Sequence, residues 1–101
     1  MGILRYSKTG ELKEYDWDGA KNVINEGKHG ISFREAMELW DDPHMLITVV
    51  KRGGEVRKFA VSHWQGAHWV VVYAEKGCKV RIISARRASG KEISTYDKAY
   101  Q

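Results

Sequence analysis

The chain is poor in the residues that build covalent or metal staples. Among 101 residues there is a single cysteine, Cys78, so no intramolecular disulfide can form and a reducing cytoplasm is the natural home. The four histidines, His29, His44, His63 and His68, lack the paired spacing of a zinc site, and no metal or other cofactor is expected. No apolar run approaches the roughly 20 residues needed to span a bilayer, and no signal peptide opens the chain. A Gly-rich phosphate loop is missing, because Gly53-Gly54 reads only as a turn. Internal repeats, low-complexity tracts and linkers are also absent.

What remains is one small domain of ordinary soluble composition, 43% hydrophobic and 30% charged, large enough for one core. The most informative shortage is of acid in one stretch. From Lys76 to Lys91 there are six basic side chains and no acidic one. The formal charge of +4 hides an asymmetry: residues 1–42 carry nine acids and six bases, whereas residues 43–101 carry four and eleven. The two halves should therefore present different faces to partners, and the basic half suits a polyanion, above all nucleic acid.

Tyr15-Asp16-Trp17 reads as a short strand, and Asp18 as the N-cap of a helix through about Glu26 that Gly27 or Gly30 closes. Ser32-Phe33-Arg34-Glu35 has the form of a capping box, which predicts a second helix with Phe33, Ala36, Met37 and Trp40 on one stripe. Asp41-Asp42-Pro43 stops it. Beyond Pro43, Met45–Lys51, Glu55–Ser62, His68–Glu75 and Lys79–Ala85 are rich in Val, Ile and aromatics, and Gly53-Gly54, Gln65-Gly66 and Lys76-Gly77 separate them as hairpin turns. Ser89 and Glu92 repeat the capping-box spacing ahead of a helix from about Gly90 to Ala99. The expectation is an α+β domain: an antiparallel four-strand meander plus an N-terminal strand, with two N-terminal helices and one C-terminal helix packed on one face. Residues 1–14 admit two readings, a short hairpin turning at Lys8-Thr9-Gly10 or a loosely held extension. Both sides of the third meander strand are apolar, so alternation does not say which is buried.

Arg86 and Arg87 end an apolar strand beside Arg81. Planar guanidinium forks suit phosphate oxygens and the charge of a phosphoryl-transfer transition state. The plainer reading pairs one with a helix carboxylate and leaves the other as solvated surface. Glu75 closes the neighbouring strand, where it orients an arginine, takes a proton from a ribose 2′-hydroxyl, or forms a cross-strand ion pair. Lys28 and His29 lie at a helix C-terminus, where RNA contact or proton transfer competes with simple capping. Trp64, beside a turn, is the tryptophan best placed to stack on a base.

Four blocks in order carry a family likeness: Tyr15-Asp16-Trp17-Asp18-x-x-Lys21-Asn22, then Lys28-His29-Gly30-Ile31-Ser32-Phe33-x-x-Ala36, then Asp41-Asp42-Pro43, then Val72-Tyr73-x-Glu75 leading to Arg81-Ile82-Ile83-Ser84-Ala85-Arg86-Arg87-Ala88. Together they resemble the BrnT family, ribonuclease toxins of bacterial type II toxin–antitoxin systems, with residues 15–101 as the toxin domain and residues 1–14 as an N-terminal extension. The resemblance implies a RelE-like fold and metal-independent RNA cleavage that inhibits translation. It also implies neutralisation by a BrnA-type antitoxin, through which alone operator DNA is reached. Carried onto this chain, it makes Arg86 and Arg87 the arginine pair and Glu75 the strand-end acid of catalysis, and the Lys28-His29 block matches the family pattern; with Arg81 and Trp64, read from the residues themselves, Lys28 and His29 are the expected RNA contacts. The loop Trp64-Gln65-Gly66-Ala67 departs from the family pattern in its aromatic content, which bears on specificity. The competing classes are a nucleic-acid-binding module that cuts nothing and an inactive homologue within a repressor complex.

Overall fold

Four strands follow one another after Pro43 because the connections between them are tight turns that force the chain straight back. Gly53 and Gly54 both sit at positive φ (57° and 79°), the conformation a two-residue hairpin turn demands. Gln65 at φ 49° precedes Gly66 at 77° and repeats the device. In this computed structural model, which describes residues 2–100, the strands are β3 (Leu46–Arg52), β4 (Glu55–Trp64), β5 (Ala67–Lys76) and β6 (Lys79–Arg87). Each pairs antiparallel with the next.

The sheet does not stop there. Two N-terminal strands, β1 (Ile3–Tyr6) and β2 (Leu12–Trp17), form a hairpin, and β2 pairs with the free edge of β6. The six-stranded order is β1-β2-β6-β5-β4-β3. The β2–β6 pairing is parallel, with Tyr15 beside Val80 and Trp17 beside Ile82, so the sheet is mixed and not antiparallel throughout. The helices after β2 carry the chain across the sheet before the four later strands lead back to it.

The helix α1 (Gly19–His29) starts where the Asp18 side chain accepts from the backbone N–H groups of Ala20 and Lys21. It ends at Gly30, whose left-handed φ of 72° turns the chain out. The expected second helix is two pieces, α2 (Phe33–Ala36) and a 3-10 helix (Met37–Asp41). Its stripe of Phe33, Ala36, Met37 and Trp40 is buried as the pattern predicts. The tighter winding is stabilised from outside, because the Leu39 carbonyl accepts from Ser62 Oγ of β4 at 2.6 Å. The helix α3 (Gly90–Ala99) begins at a complete Ser89–Glu92 capping box.

The helices lie on both faces of the sheet, which corrects the expectation of a single covered face. Trp69, Val71 and Tyr73 face the core beneath α2 and the 3-10 helix, where Trp40 meets Tyr15 and Tyr73 edge-on at 5.1 and 4.9 Å. Val70 and Val72 point the other way and are covered, with Val61, by Tyr96 of α3. A strand that is apolar on both sides needs cover on both. Among the described residues no helix is long and apolar enough to cross a membrane.

Candidate functional site: the basic end of β6

Alternation sends Arg86 and Arg87 to opposite faces of the sheet. In the register with β5, Arg86 lies opposite Val70 and Arg87 opposite Trp69. An irregularity sets which arginine goes where. Val72 pairs with Ser84 and Tyr73 with Ile82, so Ile83 is an extra residue that rephases the strand end.

Arg87 is exposed, with its guanidinium carbon 5.2 Å from the centre of the Trp69 ring. Trp69 in turn meets Trp64 edge-on at 6.2 Å. A planar cation held on an aromatic face keeps its donor edges free for an anion. Arg86, on the α3 face, is engaged. It donates from both terminal nitrogens to Glu92, which raises the guanidinium above its ordinary value. The same hydrogen bonds, helped by the Ser89 N–H, hold the Glu92 carboxyl down to about 2 against the effect of burial.

Lys28 and His29 occupy the last turn of α1, Lys28 exposed and His29 half-buried. One turn earlier, buried Asn25 clamps the helix to β6. Its Nδ2 donates to the Ala85 carbonyl at 2.9 Å and to the Ile31 carbonyl at 3.1 Å, and its Oδ1 accepts from the Ala85 N–H at 3.1 Å. The C-terminal half of α1 is thus anchored two residues before Arg87.

Glu75 does not join this group. It lies opposite Val80, at the other end of β5 from Val70, a separation of about 17 Å at the ordinary strand rise. Its carboxylate accepts from Lys13 of β2 and from Lys58 of β4 at 2.7 Å. Burial alone would push that carboxyl up, but the two lysines outweigh it and hold it below the ordinary range. Glu75 therefore neither orients the arginine pair nor sits where a base beside it would be needed. Arg81 is also distant. It faces away from Glu75, is exposed, and donates to Glu55 at 3.2 Å. Both line a mixed-charge cleft of about 300 Å³ with Glu14, Asp16 and Lys79.

The family model described as ribonuclease toxin, BrnT, of type II toxin–antitoxin system matches residues 17–92. The chain belongs to the BrnT toxin family. A direct comparison with curated proteins gives no match. The BrnT segment runs from the end of β2 into the first turn of α3 and contains both arginines and both of their partners, Trp69 and Glu92. The β1 strand and most of β2 precede it. As a BrnT toxin the chain is a ribonuclease toxin with an antitoxin partner.

Sequence reasoning did not find the residues that hold this candidate site. Glu92 is legible as the capping-box acid of α3, but nothing local says that an arginine six residues earlier shares it. Trp69 reads as core, which it also is. Asn25 looks like any polar helix residue until its three hydrogen bonds to β6 and Ile31 are seen.

Proposed function

We propose that this BrnT-family chain is a metal-independent endoribonuclease that acts in the cytoplasm, inhibits translation by cutting RNA, and is neutralised by a BrnA-type antitoxin. Operator DNA is met only through that antitoxin, and the fold is read as RelE-like. The observation that carries the proposal is the exposed Arg87 guanidinium on Trp69 with Trp64 beside it. This pairing offers a fork for a phosphate and an aromatic neighbour for a base. Arg86, fixed by Glu92, adds positive charge on the other side of the strand end, and Lys28 and His29 extend the RNA contact along α1. Arginines supply the charge neutralisation that a pentavalent phosphorane needs. Glu75 and Arg81 act at the far end of the sheet, in stability and in longer-range attraction of RNA.

Purified protein incubated with total RNA in EDTA, with and without ribosomes, tests this reading. Discrete cleavage is the expected result. Retention of RNA without cleavage overturns the enzyme. That outcome supports the second reading, a non-catalytic binder, which one observation favours: the acid expected beside the arginines is taken up by Lys13 and Lys58.

A further inference from the structure

At the turn between β4 and β5 lies a cleft of about 640 Å³ that Trp64 itself lines, together with Lys8, Glu38 and Asp41. The Asp42-Pro43-His44 loop and the C-terminal half of α3 wall it, and three of the four histidines, His44, His63 and His68, line it. His63 and His68 are direct partners in the β4–β5 register, with rings 5.0 Å apart and edge-on. His63 is exposed and His68 half-buried. The His68 ring lies 5.1 Å from Tyr96, and its Nε2 is 3.7 Å from an Asp97 carboxylate oxygen. Among the described residues neither ring is spent in a hydrogen bond to the protein.

One carboxylate fixes this arrangement. Asp42 accepts the Tyr96 hydroxyl at 2.6 Å and the backbone N–H groups of His63 and His44, each at 2.8 Å. It thereby ties helix, strand and loop to one point. The basic strand end is locked alongside, because the Ala88 N–H donates to the His68 carbonyl at 3.0 Å. Arg86, opposite Val70, shares the face of His68 and lies one side-chain repeat further along, about 7 Å at the ordinary strand rise. Two imidazoles thus share one cleft, whose other charged lining residues are Lys8, Glu38, Asp41, Asp42 and Asp97, while Arg86 is held on Glu92 and does not line it. Among the described residues no group of three His, Cys, Asp or Glu is arranged to hold a metal ion. Imidazole is the side chain best suited to moving protons near neutrality.

We propose that His63 and His68 are the proton-transfer pair of RNA cleavage by this chain, an inference that rests on the ribonuclease reading above. The exposed His63 takes the proton of a ribose 2′-hydroxyl. The freed oxygen attacks the adjacent phosphorus, so an O2′–P bond forms and the P–O5′ bond breaks. His68, with Asp97 beside it, gives a proton to the departing 5′-oxygen. The products are a 2′,3′-cyclic phosphate and a 5′-hydroxyl, with one proton taken up and one released. Arg86 adds positive charge on the same face, while Asp42, Tyr96 and Asp97 position the rings. The sequence separates the two histidines by a turn, and only the register sets them side by side.

The test is single-turnover cleavage of a short RNA in EDTA by the wild type, His63→Gln and His68→Gln, with two substrates. One is ordinary RNA. The other carries sulfur in place of the 5′-bridging oxygen, a leaving group that departs without a proton. Both variants should slow the ordinary substrate by about 10²–10⁴-fold. The sulfur substrate should restore His68→Gln to near the wild-type rate but leave His63→Gln slow. Either variant cleaving ordinary RNA at the wild-type rate overturns the proposal, as does a His68→Gln defect of equal size on both substrates. Should His68→Gln lose its fold, Asp97→Asn at an exposed position gives the same readout, a defect that shrinks on the sulfur substrate; an equal defect or none overturns the assignment. A wild type that cuts nothing removes the ribonuclease reading and this proposal together, whereas an active wild type with active histidine variants removes only the proposal.

Discussion

Arg86 donates from Nη1 and Nη2 to the two carboxylate oxygens of Glu92, at 2.8 and 3.0 Å. The same carboxylate accepts the Ser89 N–H at 2.8 Å, so one group closes the α3 cap and fixes the end of β6. Its carboxyl is held down to about 2 from an ordinary 4.5, by Arg86 first. A carboxyl depressed on folding adds stability that is fully present above its unfolded value and is lost as pH falls through its folded one. The unfolding midpoint should therefore fall between about pH 5 and pH 2. Glu92→Gln should flatten part of that fall and cost about 1 kcal/mol at pH 7, because the cap survives but the ionic fork does not. Urea melts at a series of pH values check this, and an unchanged acid limb would count against the pairing.

Arg87 should behave differently from its neighbour. It is exposed and rests on Trp69, so Arg87→Ala should change stability by no more than about 0.5 kcal/mol. The same substitution should weaken RNA binding and lower the salt slope of the binding constant by about 1. Arg87→Lys should keep most of that slope while losing the forked contact to phosphate. Binding titrations at several salt concentrations separate these effects. An unchanged slope in Arg87→Ala would show that no phosphate is held there.

The strands between Leu46 and Arg87 were readable because their turns are written in short dipeptides and the strands themselves in Val and Ile. The starts of α1 and α3 were readable because Asp18 and Ser89 are caps whose partners lie two or three residues away. Unreadable were the relationships between distant residues. Nothing near Tyr15 says that β2 will run parallel to Val80–Ile82, and the Lys13 that shares Glu75 with Lys58 comes from a strand far from it in sequence. The bland reading of the arginine pair described the geometry well, one on a helix carboxylate and one at the surface. The strand bulge at Ile83 decided which was which, and a bulge leaves no mark in a run of Arg81-Ile82-Ile83-Ser84.

Glu75 is expected to matter for folding and not for turnover. Its side chain is only 14% exposed and bridges Lys13 and Lys58, so Glu75→Gln strands two ammonium groups beside a neutral amide. The loss should be about 1–3 kcal/mol at pH 7. The carboxyl sits below its ordinary range because the lysines overcome burial. This stabilisation is therefore present above the unfolded value and fades as pH falls through the folded one. Cleavage by the folded variant should match the wild type. A variant that keeps its stability but loses turnover would return Glu75 to the active site.

Asn25 offers the sharpest test of how the site is held. It is 7% exposed, and its side chain satisfies both the N–H and the carbonyl of Ala85 together with the Ile31 carbonyl. Asn25→Ala leaves those backbone groups without partners and should cost on the order of 3 kcal/mol, since each stranded buried group carries a penalty of its own. Asn25→Asp is the more discriminating change. It keeps an acceptor for the Ala85 N–H but turns an ionised oxygen toward two carbonyl oxygens where an amide had donated. At neutral pH it should therefore be at least as damaging as alanine. At low pH the protonated carboxyl regains one donor, so Asn25→Asp should recover relative to Asn25→Ala as pH falls. Cleavage should drop with both variants even under conditions where they are folded, because the clamp lies two residues before Arg87. Parallel pH–stability curves for the two variants would show that the donor to Ala85 and Ile31 is not what holds α1 to β6.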